Sequence, residues 1–333
     1  MALCPRVDAR LSWLLALAIP VLLGAEPHAV EQALLKEAKT VPGRHAFLFA
    51  ELTDKGPVPL YASGANERFA IGSSFKLFIL GALIDEVNQG KRRSEDILLL
   101  RRDLIGPPAS DMASWPVGSP ATLYTYALKM ISISDNTAAD HLLYLLGRRR
   151  IEEQMKAMGH SDPSVNRPLL STREMVMLRD RKAPGRAAKW RKLDEVGRRK
   201  FLETEIAGLH DFEAMDFDPA ALDVAEWYAT PLDMAHALDW IRRHTGPGDA
   251  GRPLLQVMSV DTHLQFDRKT WPVVACKGGS EDRLLCGNWL LHHKNGKWYT
   301  FQVYFNNDKG KLKREVVIGV GQRMFEAIAA VVK

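Results

Sequence analysis

The sequence lacks the patterns that mark metal and nucleotide sites. Its ten histidines include no His-Glu-x-x-His pattern and no pair spaced as metal ligands on one helix face. His292 and His293 are adjacent in a predicted strand, so their side chains point to opposite faces and cannot share one ion. No glycine-rich loop follows a strand in the setting that cradles a phosphate. We therefore expect an activity that needs no metal and no other cofactor.

A strong excess of charge is also missing. Lysine and arginine number 45 against 40 aspartates and glutamates, which gives a formal net charge of +5. This excess is too diffuse to indicate nucleic-acid binding, although it suits an anionic envelope surface or a substrate that carries a carboxylate. We expect a small-molecule substrate, no nucleic-acid partner and a monomer.

Cysteine is scarce, with three residues in 333. Cys4 lies in the N-terminal segment, so Cys276 and Cys286 are the two that remain in the body of the chain. They flank a predicted hairpin turn near Glu281 and could face each other across two strands. A disulfide is credible if the protein is exported, and two buried free thiols are equally compatible with the pattern.

Long apolar runs occur only at the N-terminus. Residues 11–25 are mostly apolar, follow two arginines and are interrupted by a proline. The run is short for a membrane span and is typical of a secretory signal peptide, with cleavage after Ala25. An uncleaved anchor is the alternative, because Leu23 stands where a small residue is preferred. We predict a signal peptide over residues 1–25 and an exported, soluble body, either periplasmic or secreted.

The periodic segments predict an α+β fold. The predicted elements are, in order, a helix at 28–39, strands at 45–52 and 58–62, a buried helix ending near residue 90, helices at 120–130, 152–158, 171–178 and 232–244, strands at 273–277, 284–293, 298–305 and 314–319, and a closing helix at 322–333. This order predicts one antiparallel sheet built from both chain ends, with a helical block beside it and a cleft between them. We predict a sheet subdomain at 26–72 and 250–333 and an all-helical subdomain at 73–249.

A serine and a lysine three residues apart introduce the buried helix. Ser73 and Lys76 precede an apolar run that ends at Asn88-Gln89-Gly90, a pattern typical of a core helix. Their side chains would share one face, and burial would lower the pKa of the lysine and make it a usable base. The helix N-terminus would favour negative charge developing near Ser73. For this motif alone, a lysine that reaches the surface from a buried helix is the alternative.

Two further motifs complete a known pattern. Ser134-Asp135-Asn136 lies between two predicted helices, and Lys277-Gly278-Gly279-Ser280 lies on a predicted strand. With Ser73-x-x-Lys76 they resemble, in this order, the penicillin-recognising serine hydrolases, which include class A β-lactamases and penicillin-binding proteins. The resemblance extends over about residues 29–333 and implies the class A β-lactamase or DD-peptidase type of α+β fold.

The resemblance implies a catalytic role for four residues. Ser73 would be the acylated nucleophile and Lys76 its proton acceptor. Ser134 would carry the proton to the leaving nitrogen, and Lys277 would attract the substrate carboxylate and tune Ser134. Acyl transfer needs these parts, namely an activated hydroxyl and a proton route to the leaving group.

Three further residues are implied as substrate contacts. The backbone N–H groups of Ser73 and Ser280 would stabilise the tetrahedral oxyanion. Gly279, which directly precedes Ser280, is the second of these implied contacts. Asn136 would hold an amide of the substrate, whereas Asp135 is interpreted as structural.

The chain departs from the family pattern at two places. Gly278 stands where threonine or serine is usual, which removes a hydroxyl that would contact the substrate carboxylate. The Glu-x-x-Leu-Asn loop, whose glutamate activates the deacylating water in class A enzymes, is missing from the sequence. Glu174 and Glu226 are the possible deacylation bases, although for each of them a structural role is favoured, Glu174 as part of a helix start.

We therefore predict a serine hydrolase that acts through an acyl-enzyme at Ser73, with opening of a β-lactam ring as the first expectation. An esterase or a D-alanyl peptidase-like hydrolase that uses the same residues is the first alternative. A non-catalytic envelope binding protein that retains the pocket is the second. The missing loop favours both alternatives over a fast β-lactamase, and the intact motif residues argue against the binding protein.

Overall fold

The computed structural model describes residues 27–106, 110–209 and 215–333. The predicted signal peptide and Cys4 lie outside these ranges. No helix within them is long and apolar enough to cross a bilayer.

One antiparallel sheet is built from both ends of the chain, as predicted. In the described residues the strands are β1 (Arg44–Thr53), β2 (Gly56–Ser63), β3 (Phe69–Ala70), β4 (Ile97–Leu99), β5 (Pro120–Thr122), β6 (Tyr228–Ala229), β7 (Val273–Glu281), β8 (Leu284–His292) and β9 (Trp298–Asn306). Five of them form the sheet in the order β2-β1-β9-β8-β7, so β7 is an edge strand. The other four form two small ladders, β3 with β6 and β4 with β5.

Helices fill the middle of the chain and close both ends. In the described residues they are α1 (Pro27–Ala38), α2 (Lys76–Asn88), α3 (Leu123–Ser132), α4 (Asn136–Leu146), α5 (Arg148–Ala157), α6 (Thr172–Leu178), α7 (Pro184–Lys192), α8 (Glu195–Phe201), α9 (Pro231–Arg243), α10 (Arg252–Gln256) and α11 (Arg314–Ala329). The architecture is the α+β fold that the sequence predicted.

The sheet separates two apolar cores. One face packs against α1 and α11 through residues such as Leu34, Phe301 and Met324. The other face packs against the helical middle, and α2 lies within this second core. Nearly every residue of α2 is buried, because its sequence is apolar on all sides. The helix that presents the Ser-x-x-Lys motif is therefore fixed from every direction.

Two element predictions were wrong. The helix expected from Pro120 begins at Leu123, because Pro120 pairs with Leu99 in a ladder and Thr122 caps the helix by accepting from Thr125 N at 3.0 Å. The strand expected at 314–319 is the first part of α11. The run of branched residues there favours a strand locally, but one helical face from it packs on the sheet.

Cys276 and Cys286 are free thiols. Cys276 lies opposite Trp289 on β8, whereas Cys286 lies opposite Gly279 on β7, so the two cysteines are not cross-strand partners. Cys276 belongs to the core under α1 and α11, and Cys286 belongs to the core around α2. Of the two alternatives left open by the sequence, the structure has the free thiols.

Candidate active site

The turn that carries Ser73 is anchored on both sides. Ser73 lies in a 3-10 turn, Gly72–Phe75, that leads directly into α2. The Phe75 ring stacks on Trp227 with 3.9 Å between ring centroids. Just before the turn, Ile71 N donates to Trp227 O at 2.9 Å. The serine is therefore positioned by the segment that leads into β6 as well as by α2.

Lys76 is fully buried at the first position of α2. Its Nζ donates to Ser134 O at 2.6 Å, to Asn136 Oδ1 at 2.7 Å and to Ser134 Oγ at 3.3 Å. Burial, and next the charge of Lys277, hold the pKa of Lys76 well below its usual value, although the charge of Asp140 acts in the opposite direction. A lysine with a lowered pKa can be neutral near pH 7, which is the state in which it can accept a proton.

Two lysine side chains donate hydrogen bonds to the Ser134 hydroxyl. The backbone of Ser134 has a φ of +62°, in the left-handed region that non-glycine residues rarely adopt, at the junction of α3 and α4. Lys277 Nζ donates to Ser134 Oγ at 3.0 Å, and the bond from Lys76 Nζ reaches the same oxygen. A hydroxyl held in this way can pass a proton between its neighbours.

Asp135 has the structural role that the sequence suggested. Its side chain caps α4 by accepting from Ala138 N at 2.8 Å. The same carboxylate accepts from Ser110 Oγ and from Met112 N, which ties the preceding loop to the helix start. These bonds fix the residues on either side of it, Ser134 and Asn136.

Lys277 is buried on the edge strand β7. Its Nζ also donates to Gly278 O at 2.6 Å. Burial lowers the pKa of Lys277 to about 8, and the charge of Arg314 acts in the same direction. The lysine is therefore mostly charged at pH 7 and loses its charge in mildly alkaline solution.

The third motif lies against the turn that carries Ser73, Gly72–Phe75. A Cβ atom on Gly279 would overlap the Ile71 carbonyl oxygen and lie 3.0 Å from Ser73 N, so only glycine fits here. A Cβ on Gly72 would lie 3.5 Å from Ser280 N. The backbone N–H groups of Ser73 and Ser280 thus belong to two segments in close contact, the arrangement that two oxyanion donors require.

These residues meet at a cavity of about 580 Å³, within the range of ligand pockets. Six of the seven residues predicted to be catalytic or to contact the substrate line this cavity, namely Ser73, Ser134, Asn136, Lys277, Gly279 and Ser280. Lys76 lies behind them, bonded to Ser134 and Asn136. In the described part of the chain, no group of three or more His, Cys, Asp or Glu side chains could hold a metal ion.

Glu174 is in the helix start that the sequence suggested. Ser171 and Glu174 form a capping box on α6, with Glu174 Oε2 accepting from Ser171 N at 2.7 Å. Glu174 Oε1 accepts from Arg148 Nη2 at 2.6 Å. Both carboxylate oxygens of Glu174 therefore accept a hydrogen bond, and the residue does not line the cavity.

Glu226 is equally buried and also paired. Its Oε2 accepts from Arg179 Nη2 at 2.6 Å, and its Oε1 accepts from Trp227 N at 2.8 Å. Arg179 also binds Glu281, the last residue of β7, which lines the cavity while Glu226 does not. Glu281 was not identified from the sequence, because it directly follows a motif without being part of one.

Two further cavity residues were also missed, His263 and Arg314. His263 has a φ of +58°, and its imidazole lies 3.6–3.8 Å from the position that a Cβ on Gly278 would take. His263 Nδ1 lies 3.1 Å from Asp261 Oδ1. The His263 imidazole thus borders the position where the family usually has a hydroxyl-bearing side chain at 278, and no sequence motif indicates this contact.

Comparisons with known proteins identify a family for this chain. The chain matches the family model described as the beta-lactamase enzyme family over residues 29–328. No curated protein sequence matches it.

Several solved structures share the fold at low identity. A β-lactamase from Sphaerobacter thermophilus DSM 20745 has a TM-score of 0.64 at 16% identity, covering 91% of this chain and 97% of that one. A β-lactamase from Chitinophaga pinensis DSM 2588 has a TM-score of 0.62 at 17% identity, covering 90% and 98%. A mutant of PBP-A, solved as an acyl-enzyme complex with penicillin G, has a TM-score of 0.58 at 17% identity, covering 91% and 97%.

The family model covers most of the chain, and the structural relatives have the same α+β architecture. The chain therefore belongs to the beta-lactamase enzyme family, hydrolases of the serine β-lactamase and penicillin-binding type, with a class A β-lactamase fold.

Proposed function

We propose that this protein is an exported serine hydrolase that forms an acyl-enzyme at Ser73 and opens β-lactam rings. The observation that carries the proposal is the Ser134 hydroxyl, held between Lys76 Nζ and Lys277 Nζ at the wall of the cavity that Ser73 lines. Family membership and the apolar N-terminal pattern support export.

Acylation uses three of the motif side chains, those of Ser73, Lys76 and Ser134. Lys76 in its neutral form accepts the proton of Ser73 Oγ as that oxygen bonds to the substrate carbonyl carbon. The oxyanion is stabilised by Ser73 N–H and Ser280 N–H. The carbon–nitrogen bond then breaks, and Ser134 gives a proton to the nitrogen and is reprotonated from Lys76.

The cationic end of the cavity binds the substrate carboxylate. Lys277 supplies the charge, and Arg314 lines the same cavity. His263 supplies a polar ring where the family usually has a hydroxyl at position 278. Burial lowers the pKa of His263, with Asp261 opposing that effect, so the imidazole is mainly neutral at pH 7.

An esterase or D-alanyl peptidase-like activity is the second candidate. It is favoured by one observation, the absence of the glutamate loop that would hydrolyse a β-lactam adduct rapidly. Both candidates use the same acyl-Ser73 intermediate and differ in which acyl groups are released.

One experiment separates the candidates. The protein, Ser73→Ala and the control Ser114→Ala, which removes an exposed hydroxyl away from the cavity, are incubated with a chromogenic cephalosporin and with a p-nitrophenyl ester. Repeated cephalosporin turnover that is lost only in Ser73→Ala supports the β-lactamase. A lasting β-lactam adduct with ester turnover supports the esterase, and the absence of both adduct and turnover contradicts an enzymatic function.

A further inference from the structure

Three carboxyl groups of the described residues line the cavity: Asp261, Glu281 and Asp282. Asp261 pairs with His263 at the cationic end, and Asp282 pairs with the exposed Lys311 at 2.8 Å on the hairpin turn. The Glu281 side chain is 10% exposed, and the guanidinium that it binds, Arg179, is fully buried. Glu281 is therefore the one buried carboxyl among these three.

The pleat of β7 directs Glu281 toward the nucleophile. Alternate side chains of a strand point to the same face. On β7 that face carries Lys277, whose Nζ reaches Ser134, and Gly279, whose missing side chain would point at Ser73 N. Glu281 is next in this row, about 7 Å along the strand from Gly279. The Glu281 side chain thus starts from the face of β7 that meets Ser73, and it lines the same cavity as Ser73.

Glu281 shares its arginine with a second buried carboxyl. Arg179 Nη2 binds Glu226 and Arg179 Nη1 binds Glu281, while the two carboxyl groups also contact each other. One guanidinium can balance only one carboxylate, so the second negative charge is destabilised. Burial, and next the charge of Glu226, raise the pKa of Glu281 to about 8 in spite of Arg179. The pair therefore holds a proton that can exchange near neutral pH.

We propose that Glu281 is the general base that hydrolyses the acyl-enzyme, with Glu226 and Arg179 as positioning residues. The proposal rests on the acyl-Ser73 intermediate of the proposed function. It assigns deacylation to β7, on a residue outside the three motifs.

The step is balanced with water as the only added reactant. A water in the cavity gives a proton to the Glu281 carboxylate while its oxygen bonds to the acyl carbon. Collapse of the tetrahedral intermediate breaks the bond from that carbon to Ser73 Oγ. The proton then passes from Glu281 to Oγ, which releases the free acid and restores the serine.

The surroundings of Glu281 set the pH range of this step. The charged groups that act on it are Arg179 after α6 and Glu226 just before β6. Tyr228 on β6 and Cys286 on β8 interact with Glu226, and Lys277 and Asp282 lie on the same hairpin as Glu281. Lys277 also titrates near pH 8 but loses charge there, whereas Glu281 gains charge. Removing the charge of Glu226 should lower the pKa of Glu281 and leave the pKa of Lys277 unchanged. The effect of Glu226→Gln on the pH dependence therefore tells which of the two residues titrates.

The test follows formation and decay of the adduct by intact mass, using benzylpenicillin and a p-nitrophenyl ester. Glu281→Gln should acylate normally and deacylate about 10²–10⁴-fold more slowly. The matched control is Glu152→Gln, which also removes one charge of a buried glutamate–arginine pair, with Arg199, but lies off the cavity. This control should deacylate at the wild-type rate.

A second variant gives a readout that a structural role would not move. In the wild type the deacylation rate should rise as the pH passes about 8. In Glu226→Gln this rise should move to lower pH, because the like charge beside Glu281 is gone. If Glu281→Gln does not fold, this shift alone decides.

Three outcomes would overturn the assignment while the acyl-enzyme stands. The first is a deacylation rate of Glu281→Gln equal to that of the wild type. The second is a pH dependence of the deacylation rate that is the same in Glu226→Gln as in the wild type. The third is an adduct on the wild-type protein that lasts as long as the adduct on Glu281→Gln. Absence of any adduct on the wild type would overturn the proposed function, and this assignment with it.

Discussion

Lys76 and Lys277 are both buried, and burial lowers the pKa of each. Lys76 has three hydrogen-bond acceptors around Nζ and a pKa far below the usual value, whereas the pKa of Lys277 is about 8. Lys277 contributes to the lowered pKa of Lys76 because two nearby positive charges disfavour each other. Both lysines are thus within hydrogen-bond distance of the Ser134 hydroxyl.

The charge of Lys277 gives a pH prediction at the scale of one residue. The folded pKa is lowered, so the ammonium is lost as the pH rises through about 8. We expect the KM of a carboxylate-bearing β-lactam to rise about 10- to 100-fold over that range, because a charge-assisted hydrogen bond is lost. The KM of a neutral p-nitrophenyl ester should stay constant.

Lys277→Arg is the control for that measurement, because a guanidinium keeps its charge over the whole pH range of the measurement. In this variant the KM of the β-lactam should not rise between pH 7 and about pH 10. An equal rise for the neutral ester, or a rise that persists in Lys277→Arg, would show that another group titrates.

At the scale of residues, the sequence indicated the cavity residues that belong to a motif. It missed the cavity residues that are close to the motifs only in the folded chain. Ser73, Lys76, Ser134 and Lys277 were found because acyl transfer restricts both their types and their order. Glu281 and His263 occupy the same cavity, but their neighbours in sequence form no recognisable pattern. Their roles depend on distances to residues far along the chain, and a single sequence does not contain these distances.

At the scale of elements, the site depends on the contact between β7 and the turn Gly72–Phe75, which carries Ser73. Glycine at 279 allows that contact, since a side chain there would overlap the Ile71 carbonyl oxygen. We expect Gly279→Ala to lower the free energy of unfolding by about 2–3 kcal/mol. Acylation of Ser73 should slow by at least about 100-fold, because one oxyanion donor is displaced.

The control is Gly185→Ala on α7, where a Cβ meets open space. Alanine should be neutral or slightly stabilising in that helix, and acylation should keep its rate. Denaturant titration and the rate of adduct formation measure both effects. Normal acylation by Gly279→Ala would contradict the proposed position of the oxyanion donors.

The start of α6 gives a second prediction at this scale. Glu174 caps the helix and pairs with the mostly buried Arg148. Glu174→Gln should lower the free energy of unfolding by about 3 kcal/mol, since Arg148 would lose its buried counter-charge. Denaturant titration measures this loss, while the turnover rate should not change. A large loss of turnover at unchanged stability would indicate that Glu174 takes part in the chemistry.

Element boundaries were predictable where a local signal agreed with the packing. The capping residues before α6 gave its start correctly, and the apolar run of α2 gave a buried helix. Val316, Val317 and Ile318 suggested a strand, but Val317 lies on a helical face that packs against the sheet. Tertiary packing decides such cases, and it is not visible in a window of six residues.

At the scale of the whole molecule, the antiparallel sheet joins residues from both ends of the chain. β1 pairs with β9 along eight residue pairs, and β9 is followed through β8 to β7. The order of predicted strands and helices was sufficient to indicate this arrangement. The division of the chain into a sheet subdomain and a helical subdomain, and the signal peptide, stay predictions.

The central claim is that Ser73 becomes acylated. The most direct measurement is acid-quenched intact mass of the protein and of Ser73→Ala after brief exposure to benzylpenicillin, followed by peptide mapping. The account predicts a mass increase equal to the whole β-lactam, mapped to Ser73 and absent from the variant. No adduct on the wild type, or an equal adduct on Ser73→Ala, would contradict it.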